Sequence, residues 1–177
     1  MSSSLPSFLA PVATLSLLGG GLPSQQEALA LAFPKAQFTR KEHFLTEAQA
    51  SRVKTLSGVE LSGQFIVAYE ARRDGKVQGV GFFDTHRVRT LNETALVAVN
   101  AQGQVQRVEV IAFREPQEYL AKPTWVQQIP GRKLDADLQL NRAIRPLSGA
   151  TLTAHALTDA SRRCLALWQV LYAGESR

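Results

Sequence analysis

The sequence holds a single cysteine, Cys164. No intrachain disulfide can form, and no cysteine-rich metal site is available. The three histidines, His43, His86 and His155, lie far apart and lack metal-ligand spacing. No charged residue precedes Glu27. The apolar stretch before it, "SFLAPVATLSLLGGGLPS", is broken by Pro11 and by Gly19, Gly20 and Gly21. That is too short and too interrupted to span a bilayer. No glycine-rich dinucleotide fingerprint precedes a strand-helix unit, which argues against a separate nicotinamide site. Basic runs interleaved with aromatics are also missing. The net charge of +5 is modest, so nucleic acid is excluded as a partner. No repeat of solenoid or propeller period stands out.

What is present suits one folded domain. The chain has 177 residues, 45% of them apolar and 20% charged, enough for a single core. Residues 1–23 read as a secretory signal or a disordered leader, apolar with a small-residue exit but without a positively charged start. The folded domain is expected over residues 24–177. Ser24 opens a short helix that Pro34 stops, and Thr46 opens a second that ends at Gly58. Four strand-like runs follow at residues 64–71, 76–84, 94–100 and 104–113. Arg72 to Gly75 and Asn100 to Gly103 provide the hairpin turns. In the last run Val105, Val108 and Val110 alternate with polar residues except for one slip, which predicts a bulge.

Residues 114–147 form a long irregular stretch holding Pro116, Pro123, Pro130 and Pro146. A loop of this length is functional or contains its own helix, expected here over residues 119–128. The final helix is predicted over residues 154–172. Leu157, Cys164, Trp168 and Leu171 make its apolar stripe, and Arg162, Arg163 and Gln169 point elsewhere. The expected fold is therefore α+β: an antiparallel sheet of about four central strands, with short N-terminal helices and a long C-terminal helix packed on it.

The mouth of that last helix reads Ser148-Gly149-Ala150-Thr151-Leu152-Thr153. By composition alone it is a helix start, with Thr153 as the N-cap. A second reading is that the hydroxyls are presented for attachment. Among other candidates, His86 sits at a strand end, as a site wall or a surface turn. Tyr119 and Trp125 are placed either to stack on a ring or to close a small core. Glu115 and Glu118 read as solvated loop charges.

The string Ser148-Gly149-Ala150-Thr151, followed by Leu152-Thr153-Ala154 and a long amphipathic helix, resembles the flavinylation motif of the FMN-binding domain family. That family includes the covalent-flavin subunits of sodium-pumping NADH:quinone reductase and of the Rnf complex. "FLTEAQ", "GVGFFDTHRVRT" and "VEVIAFREPQEY" resemble segments of its small stand-alone extracytoplasmic members. The resemblance implies FMN attached covalently through a phosphoester to Thr151. Ser148, Gly149, Ala150, Leu152 and Thr153 would surround it, with His86 and Tyr119 as further cofactor-binding candidates. It also implies a magnesium-dependent flavin transferase as partner, using FAD and releasing AMP. The sequence agrees that the catalyst is external, because no carboxylate lies between Asp137 and Asp159. Many members carry Asp three residues before the Ser, where this chain has Arg145.

The function implied is an extracytoplasmic electron carrier working with redox partner proteins, membrane-bound ones among them. It would be a transferase substrate more than a complete enzyme. Two alternatives stand beside it. One is a non-flavinylated accessory or binding module of the same fold. The other is a flavin-dependent reductase of a small substrate, with His86 or Tyr119 as proton donor.

Overall fold

In the computed structural model, residues 21–174 are described. The leader expectation falls mainly on residues 1–20, outside them. Helix α1 (Gln25–Ala32) and helix α2 (Glu47–Ser57) both begin with a reciprocal capping box, Ser24 with Glu27 and Thr46 with Gln49. Gly58 closes α2 in the left-handed conformation, where a glycine pays no Cβ penalty.

Five strands make one antiparallel sheet in sequence order: β1 (Gln37–Phe44), β2 (Phe65–Arg73), β3 (Lys76–Arg87), β4 (Asn92–Asn100) and β5 (Val105–Phe113). The four expected strands are all there. The fifth, β1, corrects the strand count. Its sequence, QFTRKEHF, buries no residue fully. It is an edge strand that carries almost no apolar alternation, so the usual strand signal is missing. The predicted bulge in β5 exists: the register against β4 shifts at Ala98/Val99 and again at Thr94/Ala95.

Each sheet face has its own core. On one side Leu29 of α1 and Phe33, its C-cap residue, pack over Ala71, Leu96 and Ala98. On the other lies helix α4 (Thr151–Leu171), with Leu157, Leu165 and Trp168 against Val80, Phe82, Val97 and Val108. Helix α2 then packs on α4. Trp168 lies directly on Gly103 in the β4–β5 turn, where an added Cβ would stand 2.5 Å from the indole.

Three local expectations need correction. The helix expected over residues 119–128 is instead a 3-10 turn at Gln117–Tyr119 followed by one helical turn, α3 (Pro123–Val126). Leu120 is extended between them, and Pro123 disfavours helical geometry in the residue before it. Helix α4 starts three residues before its predicted beginning. Its N-cap is Ala150, and Thr153 lies inside the first turn. Finally, Arg162 does not point to solvent. It is buried, and its guanidinium donates to the carbonyls of Ser57 (2.7 Å), Asp135 (2.7 Å) and Leu138 (3.1 Å). A buried arginine is tolerated when its donors are used, and here they tie α2 and the loop before α4 to the last helix. Cys164 is a buried free thiol, as its place on the apolar stripe predicted.

Candidate functional site

The approach to α4 is held by side chains that grip backbone. Trp125 is buried, and its indole N–H donates to the Arg145 carbonyl at 2.7 Å. The Arg145 amide in turn donates to Gln128 Oε1 at 2.9 Å. Both backbone groups of Arg145 are thus fixed, while its side chain stays exposed beside a shallow hollow of about 490 Å³ that Arg132 also lines. Trp125 belongs to the main core, so of its two readings the core-closing one holds.

After Pro146 the chain makes one tight turn into the helix. The Ala150 amide donates to the Leu147 carbonyl at 3.1 Å. Gly149, at φ +81°, takes the third position of that turn, a conformation that favours glycine. Space around Gly149 is open, so backbone geometry and not crowding selects it.

The N-cap, Ala150, offers no side-chain acceptor. The first amides of this 21-residue helix are left with no side-chain cap, at the end where the helix dipole is positive. Ser148, Thr151 and Leu152 are exposed, and Ala150 is buried. Thr151 holds only a long contact to the Leu147 carbonyl, 3.4 Å. Thr153 differs. It is 1% exposed, and its hydroxyl donates to the Tyr119 carbonyl at 2.6 Å. Of the two threonine hydroxyls, Thr151's is the accessible one.

Tyr119 reaches this corner through that carbonyl. Its ring is half-buried, with the Arg89 guanidinium 5.3 Å from the centroid. Arg89 belongs to the β3–β4 turn, which Glu115 anchors. One Glu115 oxygen accepts the amides of Arg89 (3.1 Å), Thr90 (2.7 Å) and Leu91 (2.8 Å). These bonds, the Leu91 amide first, hold the Glu115 carboxyl below its usual pKa. Glu115 is therefore a buried anchor and not a solvated loop charge. Glu118, by contrast, is exposed.

His86, on β3 just before the turn that carries Arg89, is neither a turn residue nor exposed. On β3, Phe82, Asp84 and His86 alternate onto the face that α4 covers. His86 Nδ1 is 2.9 Å from Asp84 Oδ1, and Nε2 is 2.9 Å from Glu93 Oε2. Asp84 also receives two bonds from Arg163 of α4, at 2.8 and 2.7 Å. Burial works against the charge on His86, but its bonds to both carboxylates outweigh burial and raise it to about 9. Burial likewise pushes Asp84 up, and the bonds from His86 and Arg163 outweigh it and hold the carboxyl at about 2. Burial raises Glu93 as well, only partly offset by His86. Asp84, Glu93 and Arg163 were not singled out from the sequence. The legible signal was the Asp84/His86 alternation on a strand face that Phe82 otherwise makes apolar.

Beyond Ala68↔Phe82, β2 and β3 no longer pair. The strands part into a cleft of about 350 Å³, walled by residues 61–67 and reaching Asp84 and Arg163.

The model of the FMN-binding domain family matches residues 92–166. The matched segment runs from β4 through the gripped loop into α4, and includes Tyr119, the Ser148–Thr151 turn and Glu93. It supports a flavin-binding role with FMN as the cofactor. No curated protein matches the chain in sequence.

Proposed function

We propose that the protein is an extracytoplasmic electron carrier whose FMN is joined by a phosphoester to Thr151. The observation that carries this reading is the exposed Thr151 hydroxyl in the Ser148-Gly149-Ala150-Thr151 turn, at a helix start without a side-chain cap, inside the matched segment.

The residues present fit the group. A phosphodiester carries negative charge, and a helix N-terminus with free amides favours an anion. The exposed side chains of Arg142 and Arg145 stand close in sequence. Gly149 and Ala150 leave the hydroxyl open to a modifying enzyme. The attachment step is a transfer from FAD. Thr151 Oγ1 forms a bond to the FMN phosphorus, the pyrophosphate bond breaks, AMP leaves, and the hydroxyl proton passes to a base. The base and the magnesium ion belong to the flavin transferase, since an unassisted threonine hydroxyl is a weak nucleophile. Once bound, the flavin supplies transfer of one or two electrons, which suits exchange between unlike redox partner proteins.

The test is co-expression with a flavin transferase, followed by denaturation and intact mass. Wild type and Thr153→Val are expected to gain one FMN less water, and Thr151→Ala to gain nothing. An adduct retained in Thr151→Ala would place the flavin elsewhere. A wild type without adduct favours the accessory-module reading, which Arg145 motivates by standing where many family members carry Asp.

A further inference from the structure

We propose that the Arg163–Asp84–His86–Glu93 chain sets the reduction potential of the flavin tethered at Thr151. The inference rests on the attachment proposed above and goes beyond it.

The first support is placement. Thr151, His155, Asp159 and Arg163 follow one another at four-residue steps, so they line one flank of α4. At about 1.5 Å per residue, Asp159 stands roughly 12 Å along the axis from Thr151. A ribityl chain and its ring span a comparable length. Beside Thr151 on this flank is Leu152, 49% exposed, an apolar surface a ring can cover. Arg163 ends the row by gripping Asp84, and Asp84 leads to His86 and Glu93.

The second support is the charge itself. Around His86 stand Asp84 from β3, Glu93 from β4, and Asp159 and Arg163 from α4. His86 is 9% exposed at its side chain and Glu93 is fully buried. Charges in such a setting are weakly screened. Glu93 Oε1 is the buried side-chain oxygen that lacks a hydrogen-bond partner among the described residues. Its other oxygen, Oε2, meets His86 Nε2 at 2.9 Å. The β2–β3 cleft reaches Asp84 and Arg163, which leaves the chain a route to solvent protons.

Reducing a flavin ring adds negative charge to it. With dithionite as reductant, two electrons come from dithionite, one proton comes from water, and the ring retains one negative charge. A cation nearby favours that state, and a carboxylate nearby opposes it. His86 and Glu93 therefore act in opposite directions, which distinguishes an electrostatic role from a structural one.

The experiment is potentiometric titration with dithionite of the flavinylated full chain, its adduct verified by mass. His86→Gln is expected to lower the reduced-to-oxidised ratio about tenfold at fixed potential, a negative shift of about 30 mV for a two-electron couple. Glu93→Gln, which keeps the side-chain shape, is expected to shift the potential positively. It carries the test if His86→Gln does not fold. Lys54→Gln, at an exposed residue paired with Glu60 away from the chain, is expected to match wild type. Unchanged potentials, or shifts of the same sign in His86→Gln and Glu93→Gln, overturn the inference and leave the attachment standing. A wild type without adduct overturns both.

Discussion

Trp125 donates its indole N–H to the backbone carbonyl of Arg145 at 2.7 Å. The bond joins α3 to the chain three residues before Ser148. It makes the geometry of the Ser148–Thr151 turn depend on a residue buried in the main core.

Trp125→Phe keeps an aromatic ring and removes the donor. It leaves the Arg145 carbonyl without this partner and vacates part of the indole's volume. The expected loss is about 1–3 kcal/mol, read as a lower urea midpoint at constant slope. Flavin incorporation at Thr151 is expected to fall with it, since the turn loses its brace. Full incorporation in a destabilised Trp125→Phe would show that the turn holds its shape without the indole.

Gly149→Ala meets no neighbour within 4 Å, so any cost comes from the backbone. At φ +81° an alanine is strained by roughly 1–2 kcal/mol. Equilibrium unfolding is expected to show that loss. The same variant is expected to slow modification by the transferase, because relaxing the strain turns Thr151 away from its present exposure. A Gly149→Ala protein as stable as wild type would mean that the turn has another accessible conformation.

The buried charge chain predicts a pH signature. His86 is raised from 6.5 to about 9. Its stabilisation is complete below pH 6.5 and is lost as pH rises through about 9. Asp84 is lowered from 3.8 to about 2, so its share is complete above pH 3.8 and is lost as pH falls through about 2. Glu93 acts the other way. Its raised value costs the fold stability once pH passes 4.5. The comparison that isolates His86 is wild type against His86→Gln by chemical denaturation. Their stability difference is expected to be widest below pH 6.5 and to shrink toward pH 9. A gap that is constant over that range would mean His86 does not carry its charge in the fold.

Local signals in the sequence suffice where one residue's chemistry decides the outcome. Ser24 and Thr46 cap their helices because an oxygen meets an amide three residues on. The central strands announced themselves because both sheet faces are covered there, so apolar residues and turn glycines mark them. Strand β1 did not, because an edge strand pairs through its backbone and needs no apolar pattern. Thr153 carries a cap signal yet is not the cap, for a related reason. Its preference for helix starts is local, whereas the carbonyl of Tyr119 that it serves arrives from 34 residues away.

The Ser148-Gly149-Ala150-Thr151 string was legible in the sequence by itself, and so was its position before the last helix. Which hydroxyl is open could be decided only by the fold, which buries Thr153 against Tyr119 and leaves Thr151 exposed. The charge chain is tertiary in the same sense. Asp84, His86, Glu93 and Arg163 come from two strands and a helix, and Arg163 is 79 residues from the carboxylate it grips. A sequence shows that such residues exist. Only burial on a shared face brings them within hydrogen-bonding distance and makes their charges interdependent.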